Sequence, residues 1–263
     1  MTRRHAELLM YTAPEPIRAA NERWLAHILD RLGHSRLSAE GLSLPELWLS
    51  PDLLLTQTCG YPLMTALQGR VRVVGRPRYE LSDSSAGHHC SLILARDVDP
   101  RRTLADFRGS RGVINNDDSN SGMNLLRQRL APLQRDGRFF ASVGHSGGHR
   151  ESLRWLREER ADLAAIDSVT YAYLARHAAD EVQGLRVVER SAPSPTLPFI
   201  TRIGATDEQV ESLRQVMNRS LKQLPDVARI LGLPEVLPAS ESDYRILLGY
   251  RDEAQTLGYE RVK

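Results

Sequence analysis

Hydrophobic segments alternate with amphipathic ones along most of the chain, in a pattern that predicts strands followed by helices. Residues 52–58 have a continuous apolar centre, which is typical of a strand buried on both faces of a sheet. Residues 14–32 place Ile17, Trp24 and Ile28 on one face at helical spacing, so they predict an amphipathic helix. Strands that alternate with helices indicate an α/β fold with mixed, mostly parallel sheets and helices on both faces.

The same pattern predicts most of the remaining elements. Further strands are predicted at residues 6–13, 71–75, 88–95, 112–116, 139–144, 161–167, 185–190 and 199–203. Further helices are predicted at residues 61–68, 121–131, 149–159, 169–178, 207–224, 227–231 and 242–257. Open α/β sheets bind ligands beyond the carboxyl ends of their strands, so we expect a binding site in the loops that follow strands.

Two connectors divide this pattern. Residues 96–111 are charged and contain Pro100 and Gly109, and residues 190–198 contain three prolines. We therefore expect two lobes with two hinge crossings and a ligand cleft between them. Lobe 1 is predicted to comprise residues 1–96 plus 197–263, and lobe 2 residues 97–196. A chain of 263 residues is long enough for two such lobes.

Composition narrows the class of function. With 35 basic and 33 acidic residues the net charge is only +2, which argues against a nucleic-acid partner. The short apolar stretch near the N-terminus predicts neither a secretory signal nor membrane insertion. We therefore expect a cytoplasmic chain, or a periplasmic one if a signal had been removed. Cys59 and Cys90 match no zinc pattern, their pairing stays open, and no metal or other cofactor is expected.

The segment D-D-S-N-S-G at 117–122 lies between a predicted strand and a predicted helix. Main-chain N–H groups in the first helical turn lack intrahelical partners and lie at the positive end of the helix dipole, which suits a phosphate, phosphonate or carboxylate. The residues predicted to bind such an anion are Ser119, Asn120, Ser121 and Gly122. Gly122 would let the ligand approach the main chain closely. Helix capping is the alternative role for these residues.

Two later strand-to-helix loops add polar groups. The segment S-G-G-H at 146–149 supplies His149 as a ligand contact, while the glycine pair before it favours a loop over a two-histidine metal site. Asp167 ends a predicted buried strand. It either caps the next helix or accepts a hydrogen bond from a protonated oxygen or an amine of the ligand.

Taken in order, several segments resemble those of the phosphate, phosphite and phosphonate substrate-binding proteins of ABC transporters, the family often called PhnD-like. The matching segments are D-L-L-L-T-Q-T-C-G-Y-P at 52–62, D-D-S-N-S-G at 117–122, S-G-G-H at 146–149, A-D-L-A-A-I-D-S-V-T-Y at 161–171 and L-P-F-I-T-R at 197–202. The resemblance extends from residue 10 to about residue 224. It implies a two-lobed type II periplasmic-binding-protein fold that closes on its ligand.

The resemblance also implies roles for individual residues. The family binds the phosphonate head on a Ser-Thr-Ser turn, which Ser119 and Ser121 match, whereas Asn120 stands in place of the threonine. The other ligand contacts that it implies are Tyr11, Tyr61, His149 and Asp167.

The sequence is compatible with three functions. The preferred one is a monomeric solute-binding protein that closes on a small oxyanion or organophosphonate and delivers it to an ABC-transporter permease. One alternative is a cytoplasmic enzyme on the same fold, similar to those of the menaquinone and thiamin-pyrimidine pathways, with Asp167 or His149 as general base. The other is a sensor that closes on a ligand and presents a new surface to a partner.

Overall fold

The computed structural model describes residues 2–263, which divide into two compact units. The first unit contains the described residues up to His88 together with Pro195–Tyr244. The second contains His89–Ser194 and Arg245–Lys263. The chain therefore passes between the units at three positions in the sequence, and the passage after Tyr244 adds to the two that were expected.

The first unit is built on a six-stranded sheet. Its strands are β1 (Thr2–Glu7), β2 (His34–Arg36), β3 (Leu53–Gln57), β4 (Val71–Arg78), β13 (Phe199–Arg202) and β14 (Glu235–Leu237), in the spatial order β14-β4-β13-β3-β1-β2. β1 runs parallel to β2 and β3, whereas β13 runs antiparallel to β3 and β4. All five residues of β3 are buried, as its continuous apolar centre predicts.

Five helices cover this sheet: α1 (Glu15–Arg31), α2 (Leu44–Trp48), α3 (Gly60–Thr65), α7 (Asp207–Gln223) and α8 (Pro225–Leu231). The predicted apolar face of α1 is buried, and its Trp24 donates an indole hydrogen bond to the Met217 carbonyl of α7 at 3.2 Å. α7 begins at a capping box formed by Thr206 and Gln209. The two longest helices of the unit are thus joined through one buried tryptophan.

The second unit is built on a five-stranded sheet. Its strands are β7 (Ser91–Arg96), β8 (Arg111–Ile114), β9 (Ser142–His145), β10 (Leu163–Asp167) and β11 (Leu185–Arg190), in the order β11-β7-β10-β8-β9. β8 is parallel to β9 and β10, while β7 is antiparallel to β10 and β11. Since parallel neighbours end at the same edge of a sheet, the loops after β8, β9 and β10 start close together.

Four helices complete the second unit: α4 (Leu125–Leu130), α5 (His149–Arg157), α6 (Ser168–His177) and α9 (Ile246–Thr256). Its apolar core is formed by side chains of the sheet and of α5 and α6, among them Leu92, Val113, Leu153, Ile166 and Leu174. The short strands β5 (Ser84–Ser85), β6 (His88–His89) and β12 (Ser194–Pro195) form a separate three-stranded sheet.

Two strands lie elsewhere than predicted. The first strand is β1 at residues 2–7, not 6–13, because its polar first half pairs with the edge strand β2, where exposed side chains are tolerated. The strand predicted at 139–144 is β9 at residues 142–145. Phe139 and Phe140 are buried by packing edge-on against each other at 4.9 Å between ring centroids, so their hydrophobicity marks core packing and not a strand.

The lobe boundaries also differ from the prediction. β7 was placed in lobe 1 but belongs to the second unit, because it pairs with β10 and β11. Residues 245–263 were also placed in lobe 1, yet they belong to the second unit. Asn124 donates to the Leu247 carbonyl at 3.0 Å, and Arg127 donates to the Glu260 carbonyl at 2.9 Å. The amphipathic pattern of the last helix predicted its existence but could not indicate which core it covers.

A pair of neighbouring residues in α9 tests this assignment. Leu247 is fully buried, whereas Ile246 is 47% exposed. We expect Leu247→Ala to lower the free energy of unfolding by about 2–5 kcal/mol, because it leaves a cavity in the second unit. Ile246→Ala should change it by no more than about 0.5 kcal/mol. Urea unfolding measures both variants. Equal losses in the free energy of unfolding would contradict the assignment of α9 to the second unit.

Candidate functional site

The polar residues of the candidate site follow the carboxyl ends of the parallel strands in the second unit. The loop after β8 carries the Ser119–Gly122 turn, the loop after β9 leads to His149, and Asp167 is the last residue of β10. The loops after β8 and β9 are tied together, because the Ser146 N–H donates to the Ile114 carbonyl at 2.9 Å. The second unit thus contains six of the eight predicted site residues, at the carboxyl ends of its parallel strands.

The Ser119–Gly122 turn opens a helical run. Ser119 is the N-cap, and its hydroxyl accepts a hydrogen bond from the Gly122 N–H at 3.0 Å. The Asn124 N–H donates to the Ser119 carbonyl at 3.0 Å, five residues back, so the first turn is of the wider π type before α4 continues the helix. Ser119 therefore has the capping role that was the alternative to ligand binding, although a capping hydroxyl can still donate its proton.

Gly122 is required by packing within the site. A Cβ atom at this position would lie 1.8 Å from Asn115 Oδ1 and 3.2 Å from His149 Cε1. The expected reason for this glycine was close approach of a ligand. The structure gives a different reason, because the space next to its Cα is filled by the Asn115 amide.

Ser121 and His149 form the central contact of the site. The Ser121 hydroxyl lies 3.0 Å from His149 Nε2, within hydrogen-bond distance. The main chain at the same residue is held by Ser91 of β7, whose hydroxyl donates to the Ser121 carbonyl at 2.7 Å. Burial lowers the pKa of His149, an effect that the nearby Asp167 charge opposes and the His89 charge reinforces. A histidine with a lowered pKa is neutral at neutral pH, so it has one N–H donor and one acceptor nitrogen.

Asp167 is buried and fully engaged with protein groups. One carboxylate oxygen accepts from the Thr170 N–H at 2.9 Å and caps α6, and the other lies 2.8 Å from His89 Nδ1. Burial alone would raise the pKa of Asp167, but the charge and hydrogen bond of His89, together with His149 and the Thr170 N–H, lower it to about 2. The carboxylate is therefore ionised, and the predicted helix-cap role is present.

His89, Ser91 and Ser194 belong to this cluster and were missed by the sequence analysis. All three are buried polar residues. His89 and Ser91 lie in the segment predicted as an apolar strand at 88–95. Polar side chains in such a segment were the available signal, since a buried polar group needs a partner.

Asn120 is oriented by protein contacts. Its amide donates to the Ser194 hydroxyl at 2.8 Å and accepts from Asn124 Nδ2 at 3.2 Å. The residue is only 2% exposed. The asparagine that stands where the related turn has threonine thus links the turn to β12 and to the following helix, and a side-chain contact from Asn120 to a ligand stays a prediction.

Tyr11 and Tyr61 lie in the first unit. Tyr11 follows β1, is 6% exposed and packs edge-on against Tyr79 at 6.0 Å between ring centroids. Tyr61 lies in α3 and is 9% exposed. Their contribution to ligand binding stays a prediction.

Among residues 2–263, no metal site, disulfide or membrane-spanning helix is present. No group of three or more histidine, cysteine or acidic side chains there is arranged to hold a metal ion. Cys59 and Cys90 form no disulfide in the described chain. None of the helices in this part of the protein is long and apolar enough to cross a membrane.

Comparison with known proteins identifies relatives. A family model described as "ABC transporter, phosphonate, periplasmic substrate-binding protein" matches residues 50–244. A search of curated proteins finds no match.

Several solved structures share the fold. A binding-protein component of an ABC phosphonate transporter (PA3383) from Pseudomonas aeruginosa is 14% identical with a TM-score of 0.79, over 98% of this chain and 88% of that one. PhnD1 from Prochlorococcus marinus (MIT 9301), in complex with methylphosphonate, is 9% identical with a TM-score of 0.75, over 97% and 98%. XAC2383 from Xanthomonas citri, bound to ATP, is 15% identical with a TM-score of 0.68, over 100% of both chains. These similarities establish the type II periplasmic-binding fold.

Gly122 offers a direct test of the packing described above. We expect Gly122→Ala to lower the free energy of unfolding by about 1–3 kcal/mol, because the new methyl group displaces Asn115 or His149. Gly249 of α9 is exposed, with open space around its Cα. Gly249→Ala should therefore raise stability by about 0.5–1 kcal/mol. Chemical denaturation measures both, and a neutral Gly122→Ala would contradict the packing.

The Asp167 carboxylate makes stability depend on pH. Its pKa is lower in the folded protein than the ordinary value of 3.8, so its contribution is present above that value and is lost as the pH falls towards about 2. We expect Asp167→Asn to cost about 1–3 kcal/mol at pH 7. The difference from wild type should shrink between pH 5 and pH 2, because a protonated carboxyl and an amide are both neutral. Asp118→Asn, at an exposed position, is the control. A difference that is constant with pH would exclude this account.

Proposed function

The chain belongs to the family of periplasmic substrate-binding proteins of phosphonate ABC transporters, and from this premise we propose that it binds a small tetrahedral oxyanion at the Ser119–Gly122 turn. The ligand class is phosphate, phosphite or an organophosphonate. The observation that carries the proposal is the hydrogen-bond contact between Ser121 and His149 beside a main chain that leaves no room for a side chain at Gly122.

The donors at this turn are neutral and preorganised. The helical run that starts at Asn120 directs its first N–H groups towards its own N-terminus, where an anion is favoured by the helix dipole. The Ser119 and Ser121 hydroxyls add donors that rotate to suit the ligand. Because the Ser121 main chain is held by Ser91, little conformational freedom is left to lose when a ligand binds.

The acidic residue of the cluster does not prevent anion binding in this proposal. Asp167 lies beside His89, and its second oxygen caps α6, so both of its oxygens already contact protein groups. In this proposal the ligand contacts the hydroxyls and main-chain amides of the turn and the His149 imidazole, and not the Asp167 carboxylate.

The remaining predicted contacts keep their roles as part of the proposal. Tyr11 and Tyr61 would supply hydroxyl groups or ring faces to the ligand. Asn120 would contact the ligand from a position fixed by its hydrogen bonds with Ser194 and Asn124.

Membership of the family also supports a role in transport. We propose that the protein acts in the periplasm, that an ABC-transporter permease receives its ligand, and that binding takes place without turnover. PhnD1 of Prochlorococcus marinus has been determined with methylphosphonate bound, so methylphosphonate is the first ligand to test here.

Thermal unfolding with and without ligand tests the proposal. A ligand at 100 times its dissociation constant adds about 2.7 kcal/mol of stability, which corresponds to a rise of about 5–10 °C in Tm for a chain of this size. We expect such a rise with at least one of phosphate, phosphite, methylphosphonate and aminoethylphosphonate. Ser121→Ala should weaken the same ligand about 10- to 100-fold, because one hydrogen bond to an anion is lost.

Ser142, an exposed serine of β9, provides the matched control. Ser142→Ala should bind with the affinity of the wild-type protein. The proposal fails if none of the four ligands shifts Tm, and the assignment of the turn fails if Ser121→Ala and Ser142→Ala bind equally well.

A further inference from the structure

His89 is a buried histidine of which only one nitrogen has an identified partner. Its side chain is 0% exposed, and Nδ1 lies 2.8 Å from the Asp167 carboxylate. Nε2, on the far side of the ring, has no hydrogen-bond partner among residues 2–263. Buried polar atoms are rarely left without a partner, so this nitrogen is available to accept a hydrogen bond from a group that binds there.

The position of His89 connects it to the Ser119–Gly122 turn. Two residues further along the chain, Ser91 faces Asp167 in the register of β7 and β10 and donates to the Ser121 carbonyl. Asp167, which His89 contacts, also acts on the pKa of His149, the partner of Ser121. Since Nδ1 faces Asp167, Nε2 faces away from the carboxylate.

We propose that His89 is a further ligand-binding residue, whose Nε2 shares one proton with the bound oxyanion, and that Asp167 acts through it as a positioning residue. This inference rests on the proposed function and adds to it a proton that accompanies the ligand.

Charge balance explains why a proton is needed. The charged and titratable groups acting on this cluster are Asp167 from the end of β10 and His149 from the start of α5. His149 is neutral, so the nearest fixed charge for an incoming anion is the negative Asp167. A proton between the ligand oxygen and Nε2 removes this repulsion. A monoanion brings that proton as its own O–H, and a dianion takes it from solvent.

Proton uptake is therefore the measurable consequence. A phosphoryl group loses its second proton near neutral pH, so methylphosphonate is largely a dianion at pH 8.5. Titration calorimetry in two buffers of different ionisation enthalpy counts the protons taken up. We expect about one proton per methylphosphonate bound at pH 8.5, and an affinity that falls about tenfold per pH unit between pH 8 and pH 9.

The variant His89→Asn separates the two ring nitrogens. Its amide N–H can replace Nδ1 as the donor to Asp167, while nothing replaces Nε2. We expect it to bind methylphosphonate at least about tenfold more weakly at pH 7, with proton uptake at pH 8.5 reduced to near zero. The control is His145→Gln, which alters the exposed pair of His145 with Asp117 in the same unit and should bind like wild type.

The outcomes separate this inference from the proposed function. If wild-type protein binds methylphosphonate without proton uptake, or His89→Asn matches it in affinity and uptake, His89 does not bind the ligand although the proposed function stands. If His89→Asn does not fold, the number of protons that wild-type protein takes up per methylphosphonate at pH 8.5 tests the inference, and an uptake of zero overturns it. If neither methylphosphonate nor phosphate binds at all, the proposed function fails, and the role of His89 fails with it.

Discussion

A carboxylate as deeply buried as Asp167 is stable only when polar contacts compensate for its lost hydration. Here a main-chain N–H of α6 and the ring of His89 provide that compensation, and the lowered pKa of Asp167 shows that they outweigh burial. The same charge acts on His149, which contacts Ser121. The start of α6 and the ring of His89 therefore contact one buried charge at the end of β10, and His149 links that charge to the Ser119–Gly122 turn.

The parts of this arrangement that the sequence predicted are those with a local cause. The buried strand ending at Asp167, the polar turn before a helix and the glycine-rich loop before His149 each leave a pattern a few residues long. The pairing of His89 with Asp167 leaves none, because the two are distant in the chain and meet only through sheet geometry. The same limit applies to residues 245–263. Their hydrophobic period predicts a helix, but it does not predict which unit that helix packs against. Residue pairs far apart in sequence need the fold before they can be identified.

Asn120 occupies the middle of the turn, where the family resemblance implies a threonine. A threonine hydroxyl offers one donor at the end of a short side chain, whereas an asparagine amide offers both donor and acceptor over a longer reach. In this protein both ends of the amide contact protein groups, Ser194 on one side and Asn124 on the other. These two contacts fix the geometry of the turn.

The amide of Asn124 extends this network to the last part of the chain. It donates to Asn120 and to the Leu247 carbonyl, while its oxygen accepts from Arg127 at 2.6 Å, and Arg127 in turn donates to the Glu260 carbonyl. Each of these groups is buried or faces a buried partner, so a shift of α9 would leave polar atoms unsatisfied around the turn. The C-terminal segment therefore does more than cover apolar surface in the second unit. It fixes the first turn of the helical run at the point where Ser121 contacts His149, and a proposed anion site built from neutral donors depends on that rigidity.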